Sequence, residues 1–161
     1  MNAAPKRVPI PGSTKEKLPD AQTTGEVPEG EFSVTINLRR RKELPSLEDQ
    51  AMLKPAERSY LSRDEHAREF GADPADIGKV LQFARENGLK VVSADEAQRT
   101  VVVTGTAAAY AKALGVELKM YKAGDTWYRG REGDILIPAE LEGIVTSVTG
   151  LDDRPVAKPR P

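Results

Sequence analysis

Hydrophobic and polar residues first fall into register at Phe32, where Phe32, Val34, Ile36 and Leu38 alternate with Ser33, Thr35, Asn37 and Arg39. That period of two predicts a strand with one buried face. After Pro45 the spacing lengthens. Residues 47–53 and 63–70 read as short helices, the second opened by Ser62 with Glu65 three positions on, a capping box. A stronger helix starts at Asp73-Pro74, carries Ile77, Val80, Leu81 and Ala84 at i, i+3, i+4 and i+7, and stops at Asn87-Gly88. Residues 89–93 and 100–104 are β-rich runs about a polar turn and predict an antiparallel pair, with Val101-Val102-Val103 covered on both faces for part of its length. Gly105-Thr106 opens another helix through Ala107, Tyr110, Ala111 and Leu114 to Gly115, and Val116, Leu118 and Met120 then alternate as a fourth strand.

The predicted order β-α-β-β-α-β is that of an α+β, ferredoxin-like antiparallel sheet with both helices on one face and the other face left to water or a partner. Residues 127–129 and 135–137 flank Gly130 and Gly133 as a small hairpin lobe, and Pro138 precedes a C-terminal helix carrying Leu141, Ile144, Val145 and Val148. Residues 1–30 hold Pro5, Pro9, Pro11, Pro19 and Pro28 without a sustained apolar period, which predicts a flexible N-terminal arm. Beyond a folded region of residues 31–151, residues 152–161 place Pro155, Pro159 and Pro161 among basic residues. Each proline lacks a backbone donor and biases its predecessor toward extended backbone, so this tail reads as an extended linker.

Composition narrows the chemistry. A chain of 161 residues suits one core. With 24 Lys+Arg against 25 Asp+Glu, it has no global field for nucleic acid or an anionic membrane. Having no cysteine and a single His66, it offers no disulfide, thiolate or multi-histidine metal site, and no cofactor motif is present. His66 stands in a charged helix, and the adjacent carboxylates Asp64-Glu65, Asp95-Glu96 and Asp152-Asp153 read as solvated turn, cap or tail groups rather than a catalytic pair. The run Arg39-Arg40-Arg41-Lys42 reads as basic residues that discourage pairing at a sheet edge, ahead of a phosphate-binding patch. RNA-recognition sheets stack bases on aromatics of their central strands, but here Val101-Val102-Val103 occupies that place. Trp127, Tyr121 and Tyr128 read as packing of the lobe.

The succession Ser62-Arg63-Asp64-Glu65, Phe70-Gly71, Asp76-Ile77, Gly88-Leu89, Val103-Thr104-Gly105-Thr106, Ala113-Leu114-Gly115-Val116, Tyr128-Arg129 and Ile137-Pro138 resembles the pro-kumamolisin activation domain. This is the N-terminal propeptide of the sedolisin family of serine-carboxyl peptidases. The resemblance runs from Phe32 to Arg160 and includes Val148-Thr149-Gly150-Leu151-Asp152-Asp153-Arg154-Pro155-Val156, similar to the junction with the protease; Leu114 departs from the Phe common in the family. The resemblance implies no catalytic residue in this chain, because the family's Ser, Glu and Asp and its calcium site belong to the peptidase domain. It implies a secreted precursor in which the propeptide is chaperone and inhibitor of its own peptidase catalytic domain in cis, with no nucleic-acid or membrane partner. The protease-cleft linker would be Leu151, Asp152, Asp153, Arg154, Pro155, Val156, Ala157, Lys158, Pro159 and Arg160, disordered without its partner and released by acid-triggered self-processing. Asp152 and Asp153 are expected to pair across that interface while ionised. The alternative is a stand-alone ferredoxin-like interaction or regulatory module, including an RNA binder.

Overall fold

The computed structural model describes residues 6–42 and 63–154. The helix expected at 47–53, Ser62 of the capping box and the side chains of Asp64 and His66 lie outside the described residues. In chain order the elements are β1 (Arg7–Pro9), β2 (Gln22–Glu26), β3 (Glu31–Leu38), α1 (Arg63–Phe70), α2 (Pro74–Glu86), β4 (Lys90–Asp95), β5 (Thr100–Thr106), α3 (Ala107–Leu114), β6 (Leu118–Ala123), β7 (Thr126–Arg131), β8 (Leu136–Pro138), a 3-10 turn (Ala139–Leu141) and β9 (Val145–Thr149).

The alternation of β3 does what its period dictates: Val34, Ile36 and Leu38 are buried, and with Val101 and Val103 of β5 they meet Ile77, Val80, Phe83 and Ala84 of α2 and Tyr110, Ala113 and Leu114 of α3 in the main core. Both helices start where their caps lie. The Asp73 carboxylate accepts from Ala75 N at 2.8 Å, and Thr106 Oγ1 accepts from Ala109 N at 3.1 Å. The principal sheet is antiparallel in the order β4-β5-β3-β9. Its other face carries Ser33, Thr35 and Asn37 beside Thr104, Val102 and Thr100 on β5 and Thr149 and Ser147 on β9. Asn37 Nδ2 donates to Ser147 Oγ at 3.0 Å across this polar face.

Five expectations are corrected. The segment after Pro138 is a 3-10 turn and then a strand, not a C-terminal helix. Gly143 at φ +78° breaks the helical path, and the β-branched run from Val145 supplies the β3 edge with a partner. The place beside β3 expected for residues 116–121 is therefore taken by β9, while β6 joins a second antiparallel sheet, β2-β6-β7. The hairpin is β6-β7, and β8 pairs with β1 instead of β7. Residues 7–30 are not a loose arm: β1 and β2 are paired strands, Ile10 and Ala21 are buried, and Ile10 N donates to Ile135 O at 2.9 Å. Finally, β3 is a central strand, so the basic run guards no edge. Arg39 instead grips the buried Asp76 through Nε at 2.9 Å and Nη2 at 3.3 Å, and Arg41 donates to the carbonyls of Arg68 and Ala72.

Candidate functional site

The chain leaves the principal sheet at Gly150, whose φ of +103° suits glycine; a Cβ there would lie 3.1 Å from Ser33 O. Leu151 then turns inward and is buried in the main core. Asp152 follows with a side chain only 3% exposed. Its Oδ1 accepts from Arg154 N at 2.9 Å and Arg154 Nε at 2.8 Å, and its Oδ2 accepts from Arg154 Nη2 at 2.6 Å. The same guanidinium donates to Glu16 O at 2.8 Å and stands 5.3 Å over the Tyr128 ring. Burial pushes the Asp152 carboxyl up, but the Arg154 hydrogen bonds and the Lys15 charge outweigh it and hold the group below the usual carboxylate range.

Arg129 forms the second clamp. Its main chain pairs with Asp153, whose N donates to Arg129 O at 2.9 Å and whose carboxylate accepts from Arg129 N. Its side chain donates to Leu151 O at 2.8 Å and Gly150 O at 2.9 Å while covering the Phe32 ring at 3.7 Å. Phe32 in turn rests 4.9 Å from Tyr110, so the aromatic at the start of β3 is sandwiched. Burial pushes the Tyr110 phenol up to about 12, and its hydroxyl donates to Phe32 O at 2.7 Å. Neighbouring Gly130 leaves room for the chain: a Cβ there would meet Asp152 Oδ2 at 3.1 Å and Tyr128 Cε2 at 2.7 Å. Tyr128 stacks on Tyr121 at 5.2 Å, so the exit lies on a rigid strand pair.

Residues 150–154 are thus tied down, contrary to the disorder expected of a linker from residue 152. Asp152 pairs within the domain, with Arg154, and Asp153 with Arg129, 3.8 Å from its guanidinium. Pro155, Val156, Ala157, Lys158, Pro159 and Arg160 lie outside the described residues. The residue sequence reasoning missed is Arg129; Tyr128-Arg129 was visible as a motif, yet nothing local indicated what it holds. Beside the exit, a cavity of about 300 Å³ is lined by Ile10, Ser13, Lys15, Arg131 and Asp152 among others. Arg131 is 4% exposed and donates to Gly133 O at 2.7 Å, and burial pulls its guanidinium below its ordinary pKa. Among the described residues no group of three or more His, Asp or Glu is placed to hold a metal, and no helix is long and apolar enough to cross a membrane. What this arrangement does chemically is fix the position and direction in which a peptide leaves the domain.

A family model described as "Pro-kumamolisin, activation domain" matches residues 19–154, ending where the double clamp ends. The chain belongs to this family. The activation domain is 37% identical over 158 residues to Kumamolisin of Bacillus sp. (strain MN-32), covering 96% of the chain and 29% of that protein. It is 27% identical over 165 residues to Tripeptidyl-peptidase sed5 of Aspergillus fumigatus (strain ATCC MYA-4609 / CBS 101355 / FGSC A1100 / Af293), covering 91% of the chain and 28% of the relative. The activation domain therefore spans less than a third of the length of either curated relative. The matched region includes β2, which the resemblance read from Phe32 onward had left out.

Proposed function

We propose that this activation domain is the folding template and inhibitor of a serine-carboxyl peptidase domain joined to it in a secreted precursor, and that it performs no catalysis itself. The observation that carries the reading is the double clamp: the chain is fixed through Arg154, and the sequence then turns at once to Pro155, with Pro159 and Pro161 following. Residues 151–154 serve as the anchor, and Pro155, Val156, Ala157, Lys158, Pro159 and Arg160 serve as the segment lying through the substrate cleft. Clefts of this kind take peptide as an added strand, and X-Pro bonds make poor cleavage sites there because proline cannot donate to that pairing. The polar outer face of the principal sheet supplies a broad surface for the same partner. The antiparallel β4-β5-β3-β9 order supports reading this core as ferredoxin-like, with its last strand drawn from after an inserted lobe.

Acid release follows from the anchor. With Asp152 ionised the exit is held; its protonation removes the charge and one of the acceptor oxygens that Arg154 uses, and the linker gains length and freedom. The test is refolding of the denatured peptidase domain with and without this chain, together with maturation of a precursor carrying Pro155→Ala and Pro159→Ala. The reading expects faster recovery of activity with the chain present and faster self-processing of the variant. Unchanged recovery overturns the template role, and unchanged maturation overturns the role given to the prolines.

A further inference from the structure

We propose that Trp127 anchors a second docking surface for the peptidase domain, on the face of the β6-β7 hairpin and separate from the polar face of the principal sheet; the inference rests on the propeptide reading above. Register pairs Lys122 with Trp127, Met120 with Arg129 and Leu118 with Arg131, so Trp127, Arg129 and Arg131 point to one side of β7. Exposure grows along that side, from 4% at Arg131 to 57% at Trp127. Among the described residues the other exposed large apolar side chains are Val92, equally open, and the less exposed Val91, both on β4. An exposed tryptophan on an outer strand invites unspecific association unless a partner covers it, and buried tryptophans are the residues most often found to dominate an interface.

The path of the chain identifies the occupant. Asp152 abuts Gly130 and Asp153 pairs with Arg129, so the C-terminal segment runs antiparallel to β7 and travels toward Trp127. Pro155 has no N–H with which to extend that pairing. A domain attached beyond Arg154 is therefore delivered to the Trp127 end of the hairpin, and the seven residues that follow Arg154 in this sequence span at most about 25 Å. Tethering raises the effective concentration to about the millimolar range, where one aromatic anchor contributes strongly to occupancy. Lys122 sets the chemistry of the facing surface. Its ammonium stands 5.1 Å from the Trp127 ring and forms no ion pair among the described residues, which suits an apolar pocket with a carboxylate on its rim.

The test uses this chain as an inhibitor of the separately prepared mature peptidase domain, in wild-type, Trp127→Ala and Trp127→Phe forms, and follows a 5-fluorotryptophan label at Trp127, the one tryptophan of the chain. Because Trp127 is mostly exposed, circular dichroism should be the same for all three. The proposal expects the inhibition constant to rise about thirtyfold in Trp127→Ala and only a few-fold in Trp127→Phe, and the fluorine resonance to shift when peptidase is added. Inhibition by the wild type with an equal constant in Trp127→Ala and an unmoved resonance overturns this surface and leaves the propeptide reading standing. Absence of inhibition by the wild type overturns both.

Discussion

Replacing Asp152 by Asn probes the exit anchor with almost no change in shape. The carboxylate, 3% exposed, receives three hydrogen bonds from Arg154, whose own side chain is 18% exposed. Asparagine keeps one acceptor oxygen and turns an NH2 toward a guanidinium that can only donate, so at least one charge-assisted bond is lost. Such bonds contribute about 1.5–3 kcal/mol, which sets an expected loss of about 2 kcal/mol near neutral pH. The sign of the pH dependence follows from the direction of the shift. Burial raises the Asp152 carboxyl, but Arg154 and Lys15 prevail and its folded-state pKa lies below the ordinary value. Its stabilisation is therefore complete above the unfolded value of about 3.9 and is lost as pH falls through the lower folded value. Asparagine does not titrate, so the gap between the two proteins should hold from neutral pH down to about pH 5 and close below about pH 4. Urea unfolding followed by far-ultraviolet circular dichroism reads this directly. With a slope of about 2 kcal/mol per molar urea, the midpoint should differ by about 1 M at neutral pH. A gap of the same size at both ends of the pH range, or none at neutral pH, would refute the reasoning.

Three other changes test the surroundings. Leu151→Ala removes a side chain buried in the main core and should cost about 2–5 kcal/mol in thermal or urea unfolding; a negligible loss would mean the residue is not packed. Gly150→Ala forces a left-handed φ of +103° on alanine and brings a Cβ within 3.1 Å of Ser33 O, for an expected loss of about 1–3 kcal/mol; an unchanged melting temperature would contradict the turn. Tyr110 and Tyr121, both pushed up to about 12 by burial, should stay un-ionised in the folded protein when ordinary tyrosines titrate. Their contribution is complete below about pH 10 and disappears as pH rises through about 12, which tyrosinate absorbance checks; four tyrosines titrating together near pH 10 would contradict their burial.

The parts of the fold that were legible are those where one local signal suffices. The alternation in β3 and the capped, periodic helices α2 and α3 bury their residues by their own geometry. The segment 139–149 misled because Leu141, Ile144, Val145 and Val148 also fit helical spacing; what decides is Gly143 and the open edge of β3, and the second is a tertiary fact. β1 and β2 bury almost none of their own side chains and leave no period to detect; their backbones are held by β8 and β6, more than ninety residues away. At the exit, the acidic pair and Arg154 were visible but read as solvated, since local sequence does not reveal that Leu151 turns inward and draws Asp152 with it. Arg129 was invisible as a clamp because its role depends on β7 lying alongside residues 150–153.

The central claim, that this domain inhibits the peptidase it accompanies through a segment fixed by the Arg129 and Arg154 clamps, is tested most directly by titrating the chain against the mature peptidase domain at neutral and at acid pH. The account predicts stoichiometric inhibition at neutral pH that weakens by at least tenfold in acid and is weakened already at neutral pH by Asp152→Asn. Full peptidase activity in a several-fold excess of the folded chain at neutral pH would contradict it.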